Sequence, residues 1–237
     1  MPVLGGAMAG TGSLMASQNK ELWEKALKSY GQALRQLADR KQDPTKLTTL
    51  DDWFFKTEPK KDKAYLVKVM EWKLTRGTFR PGLLQKVELN NDEEVRRCFA
   101  TAYELLHAET PSSTKALKAL TALQGVGPVT ASALLCRTFP QHVAYMSDEA
   151  VLGSGLVKKA SDIKYDMATY TRFNSMVISK AVELGGHWTA EQVARALWAH
   201  QKLAAPSSTK PEKERGRVDV GVGKPAAKGV KKSIKKT

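Results

Sequence analysis

The sequence predicts an all-α body, and three observations predict it. Apolar residues recur at three- and four-residue steps along most of the chain, and most of these runs open beside a residue able to cap a helix. No stretch alternates apolar and polar residues for long enough to make a strand, and no solenoid repeat is visible. At 237 residues and 42% hydrophobic content, the chain can bury one good core.

The elements follow in order. Met1 to Ser17 is uncharged and rich in Gly, Ala and Met. With neither a basic start nor a sustained apolar run, it fits no secretory signal and no membrane span, and residues 1–18 are expected to be a flexible leader. From Asn19 to Arg40, Leu22, Trp23, Ala26, Leu27, Tyr30, Leu34 and Leu37 mark one amphipathic helix that Pro44 ends. Leu50 to Phe55 reads as a short helix start or turn with Asp51 or Asp52 as N-cap and its three aromatic residues in the core. Lys61 to Thr75 is a second long helix, closed by Gly77.

Asn91 or Asp92 caps a helix through Glu109, and Pro111 to Thr114 starts another over Lys115 to Leu123. A helix then ends near Gly153, and a longer one runs from about Asp166 to Leu184, where Gly185 and Gly186 stop it. Thr189-Ala-Glu-Gln192 has the spacing of a capping box for a last helix to about Leu203. Beyond Pro206 the chain loses apolar residues and fills with Lys, Pro, Gly, Ala and Ser, so residues 205–237 are expected to be a disordered basic tail after a helical domain over 19–204.

Charge points to a polyanionic partner. From Lys202 onward there are eleven Lys/Arg against three Asp/Glu, which accounts for +8 of the net +14, and the body is basic as well. The end, Lys231 to Lys236, suits nuclear import or non-specific contact with nucleic acid. Cys98 and Cys136 sit among apolar neighbours and read as buried reduced thiols of a cytosolic or nuclear protein. The four histidines show no ligand spacing, and no metal or cofactor is expected. Gly221-Val-Gly-Lys224 imitates a phosphate loop but lacks both the preceding strand and the following Ser/Thr.

The centre of the chain is Leu120 to Cys136, where an apolar helix, a tight loop and a second apolar helix follow one another. Gly125 and Gly127 bracket Val126 and can both take positive φ or a close backbone approach that a side chain would block, and Pro128 suits the first position of the second helix. The amides at such a helix start lack internal partners and carry the positive end of the dipole, which makes them a phosphate site. Gly125, Val126, Gly127, Pro128 and Thr130 are therefore the expected DNA contacts, largely independent of base sequence.

Leu123, Gly125-Val-Gly127 and Thr130-Ala131 resemble the hairpin of the helix-hairpin-helix Gly/Pro-Asp superfamily of DNA glycosylases. The following loop, Phe139-Pro140 through Ser147-Asp148, supplies a proline and an aspartate, and Asp148 lies nineteen positions after Val129. Across residues 20 to 200 the body resembles the Amun family, in which a glycosylase-like domain goes with nuclear association. The resemblance implies a DNA glycosylase-like helical fold, a place in the nucleus and a connection to base excision repair. It implies that Asp148 is the catalytic carboxylate, if the protein is an enzyme, and that Glu71, Trp72 and Lys73 face a base pocket. Val129 stands where bifunctional members carry a Schiff-base lysine, so an enzyme of this kind would be monofunctional. With only two cysteines, the iron-sulfur cluster of the endonuclease III relatives is excluded.

Two functions remain open at this level: a DNA-binding module, and an active monofunctional glycosylase using Asp148. In the first, Asp148 is only a helix N-cap, and Glu71 and Lys73 are a surface pair around a core Trp72.

Overall fold

The computed structural model describes residues 13–205, and every regular element among them is helical. The first twelve residues of the expected leader and the basic tail from Pro206 lie outside the described residues.

The N-terminal run is two helices rather than one: α1 (Lys20–Lys28) and α2 (Tyr30–Ala38). At the joint the Ser29 hydroxyl donates to the Ala26 carbonyl and takes that acceptor from the helix ladder. The leader also ends sooner than expected. Leu14–Ala16 forms a 3-10 turn with Leu14 buried, and the Ser17 carbonyl accepts from the Trp23 indole at 3.0 Å.

Pro44 ends nothing; it opens α3 (Pro44–Lys56), with Asp43 as the cap. Asp51 is consequently inside a helix and not at its start. Its carboxylate is 3% exposed and accepts from the Tyr30 hydroxyl at 2.8 Å and the Trp72 indole at 3.0 Å. One oxygen thus ties α3 to α2 and to the later helix that carries Trp72. Asp51→Leu leaves both donors unmet, at about 1–3 kcal/mol for each. Asp51→Asn keeps an acceptor in place, so urea unfolding is expected to show a large loss for the leucine variant and a small one for the asparagine variant.

Next come α4 (Lys63–Arg76), capped by Asp62 and stopped at Gly77, and α6 (Asp92–His107), capped by Asn91. Between them lies α5 (Leu83–Glu88), a two-turn helix too short to announce itself by periodicity. α7 (Ser113–Leu120) and α8 (Pro128–Leu135) flank the glycine loop, and α9 (Asp148–Gly153) follows the extended Phe139–Ser147 segment. α10 (Met167–Leu184) and α11 (Ala190–Ala204) complete the body, the latter with both bonds of the Thr189–Gln192 capping box.

Packing closes the chain on itself. α11 lies against α1, α2, α9 and α10, so the two ends of the body share one group of helices, while α4 packs against α3, α5 and α8, and α6 against α7. Trp23, Trp72, Trp198, Tyr170, Phe54, Phe99 and Phe173 are the largest fully buried side chains. Cys98 and Cys136 are both buried and free. No helix among the described residues is long and apolar enough to cross a membrane.

Candidate nucleic-acid interface and pocket

The glycine loop is held by a residue far from it in sequence. Asn90, 2% exposed, accepts from the Gln124 amide at 2.7 Å and donates to the carbonyls of Gln124 and Val87 at 3.0 and 2.8 Å. Gly125 has φ +75°, and a Cβ there would meet Val87 Cγ2 at 3.0 Å, Lys86 Cβ at 3.1 Å and the Leu83 carbonyl at 3.3 Å. Only glycine fits, because α5 lies directly beneath it. Gly127 differs from the expectation: its φ is −100° and a Cβ would meet nothing within 4 Å. Its bareness is required neither by conformation nor by packing within the body.

Gly127 is the N-cap of α8 and Pro128 its first turn. The amides of Gly127, Val129 and Thr130 have no partner among the described residues, since the helix ladder begins with the Ala131 amide on the Gly127 carbonyl. Val126 stands apart from the other expected contacts. Its side chain is buried in the core and its amide donates to the Leu123 carbonyl, so it pins the loop and presents nothing outward.

Beside this loop opens a cavity of about 380 Å³. α4 contributes Lys73 and Arg76 to its wall, the glycine loop and α8 contribute Gly125, Gly127, Pro128, Val129 and Thr130, α9 contributes Asp148 and Glu149, and α11 contributes Trp198 and Lys202. Two buried polar side chains fix the wall segment before α9. Ser132 donates to the Val129 carbonyl and accepts from the Met146 amide at 3.1 Å, and Asn174 accepts from the Ala144 amide at 2.8 Å while donating to the His142 carbonyl. Asp148 reaches the loop's neighbourhood through these contacts.

Asp148 does not cap its helix. Ser147 is the N-cap, accepting from the Ala150 amide at 3.2 Å, and Asp148 is the first helical residue. Its side chain lines the cavity and accepts from the Tyr165 hydroxyl at 3.1 Å. Burial and the adjoining Glu149 push its carboxyl above the ordinary aspartate range, against the opposing pull of Tyr165, Arg80 and Lys202. For Glu149, burial alone would do the same, but the Lys202 ammonium at 2.6 Å outweighs it and holds that carboxyl below its usual value.

Of the three residues expected on the pocket's α4 wall, only Lys73 is there. Trp72 is in the core, its ring stacked on Phe54 with centroids 3.7 Å apart, and Glu71 faces Lys46 and Lys68 at 3.0 and 2.9 Å on another side of α4. The reason is helical geometry: consecutive residues point about 100° apart, so three in a row cannot share one wall. Arg76, three residues on from Lys73, shares its face and was not anticipated.

Burial and the nearby Arg80 lower the Lys73 amine to about 8, with Asp148 opposing the shift. A depressed lysine disfavours the folded state while the unfolded chain binds more protons, so its cost is full below about pH 8 and disappears towards the free lysine value. Lys73→Met is therefore expected to raise the melting temperature at pH 7 and to lose that advantage as the pH approaches 10, in thermal unfolding followed by circular dichroism.

The lining carries Lys41, Lys73, Arg76, Arg80 and Lys202 against Asp148 and Glu149, so the cavity is cationic around one carboxylate that remains open to it. Comparison with protein-family models gives no match, and neither curated proteins nor solved structures give one.

Proposed function

We propose that this chain is a nuclear DNA-binding protein with a helix-hairpin-helix DNA glycosylase-like fold, which grips backbone phosphates at the α8 N-terminus and admits an extruded nucleotide into the adjoining cavity. One observation carries the reading: the unpartnered amides of the glycine loop and the Asp148 carboxylate line the same cationic cavity. A phosphate on those amides would leave its own nucleotide within reach of the cavity mouth. Phe79, 64% exposed, stands between Thr78 and Arg80, which both line the cavity, and its ring suits the gap an extruded base leaves in the stack.

The second reading, an active monofunctional glycosylase, is favoured by the Ser147 cap. That cap frees Asp148 to face the cavity, where a carboxylate can stabilise developing positive charge on the sugar or activate a water. On this reading the protein acts in base excision repair, and Val129, not a lysine, faces the substrate sugar.

Duplex binding measured against salt tests the proposal. The chain without residues 206–237 is expected to keep binding at low salt but with a shallower log–log slope, since each phosphate neutralised contributes about 0.9 to it. Loss of all binding at low salt in the shortened chain would assign the affinity to the tail and remove the loop from the interface.

A further inference from the structure

We infer that the cavity takes a guanine-type base, read along its O6 and N7 edge by the guanidinium of Arg76. The inference rests on the proposed DNA-binding reading and adds to it which base the pocket accepts.

Arg76 is 6% exposed and lines the cavity, yet makes no hydrogen bond or ion pair among the described residues. Its Nε is sealed from solvent with no acceptor. A guanidinium is permanently charged and carries five donors, so burying it without acceptors is costly. The carboxylates that act on it through space already serve other donors: Asp51 holds Tyr30 and Trp72, and Glu149 holds Lys202. Trp198, Trp72, Tyr145 and Tyr30 surround it, with their centroids 4.1, 5.2, 5.3 and 5.7 Å from Cζ. Those ring faces favour the cation and hold it in place, but they supply no in-plane acceptor for its N–H groups. Nε is out of reach of anything in the cavity, so it is the two terminal nitrogens, which are not among the sealed atoms, that an occupant of the cavity can bond.

A phosphate of an intact duplex backbone stays at the protein surface, whereas Arg76 is nine-tenths buried. A base can reach it. The end of a guanidinium presents two parallel donors and matches two acceptors side by side, as guanine O6 and N7 are. Adenine sets an amino donor beside N7, and thymine and uracil place an N–H between their carbonyls, so each would direct a donor at the cation. In cytosine the acceptor pair includes O2, next to the glycosidic bond, and the edge that enters first carries the amino group. Tyr145 and Trp198, also in the lining, offer aromatic surface to a purine.

The test uses the full chain and duplexes carrying one bulged nucleotide, namely guanine, 7-deazaguanine, adenine or cytosine, with a fully paired duplex as reference, in fluorescence anisotropy titrations. 7-Deazaguanine keeps the size and O6 of guanine and removes only the N7 acceptor. Bulged guanine is expected to bind about tenfold tighter than 7-deazaguanine, within the range one bidentate arginine–guanine pair supplies, and to exceed adenine and cytosine by at least as much. In Arg76→Gln the ratio of guanine to 7-deazaguanine should fall to about one. Should that variant not fold, the 7-deazaguanine comparison in the unmodified protein still decides. Equal binding of guanine and 7-deazaguanine, or of guanine and either other base, overturns the inference while leaving the DNA-binding reading intact. No binding to any duplex at low salt overturns that reading instead.

Discussion

Asp148→Asn is expected to leave fold and DNA affinity in place while base release, on the glycosylase reading, falls about 10²–10⁴-fold, the range a positioned acid–base group contributes. The substitution keeps the size of the side chain and an oxygen for the Tyr165 hydroxyl, 3.1 Å away, and removes only the charge. Ser147 does the capping, so even Asp148→Ala should lose little stability, unlike an N-cap, where the same change costs about 0.5–2 kcal/mol. A panel of lesion-bearing duplexes, assayed by alkaline cleavage at the resulting abasic site, reads the effect. With valine at 129 the product strand should stay intact and give no borohydride-trapped adduct through that position. Undiminished release by the asparagine variant removes Asp148 from the chemistry. Absence of release by the unmodified protein on every lesion removes the glycosylase reading and leaves the proposed DNA-binding module.

The second large effect separates the two glycines of the loop. Gly125→Val places a β-branched residue at φ +75°, about 1–2 kcal/mol in backbone strain, and drives its Cβ into Val87 and Lys86 for about 1–3 kcal/mol more. Against a typical total stability of about 5–15 kcal/mol, such a loss should lower the urea midpoint severely. Gly127→Val meets open space at a φ any residue adopts, so it should melt like the unmodified protein. It should nevertheless bind duplex DNA more weakly, because its isopropyl group would stand over the amides of the α8 N-terminus. Unchanged DNA affinity in a folded Gly127→Val protein would take those amides out of the interface.

Helix caps and stops were legible because they are local. Asn91, Asp166 and the Thr189–Gln192 box each act within four residues, and each is where sequence spacing puts a helix start, whereas Asp62 caps a helix that the spacing begins at Lys61. Errors came where a local signal had two readings. Pro44 reads as a stop but is a first turn, and Asp51, one of two candidate caps, is a buried acceptor for residues 21 positions away on either side. Asn90 gave no signal at all, since an asparagine before a helix looks like any other turn residue.

The sequence by itself determined that the body is helical, that a glycine loop joins two apolar helices, and that Asp148 opens a helix soon after. Those properties depend on residues within a turn or two of one another. Only the tertiary structure decided which glycine is obligatory, because that depends on α5 lying under Gly125 and on nothing lying near Gly127. It likewise decided that Ser147 and not Asp148 is the cap, and that Lys73 and Arg76, rather than Glu71 and Trp72, line the cavity. A wall built from α4, α8, α9 and α11 is set by how those helices pack, and one helix's period shows which residues share a face without showing what that face meets.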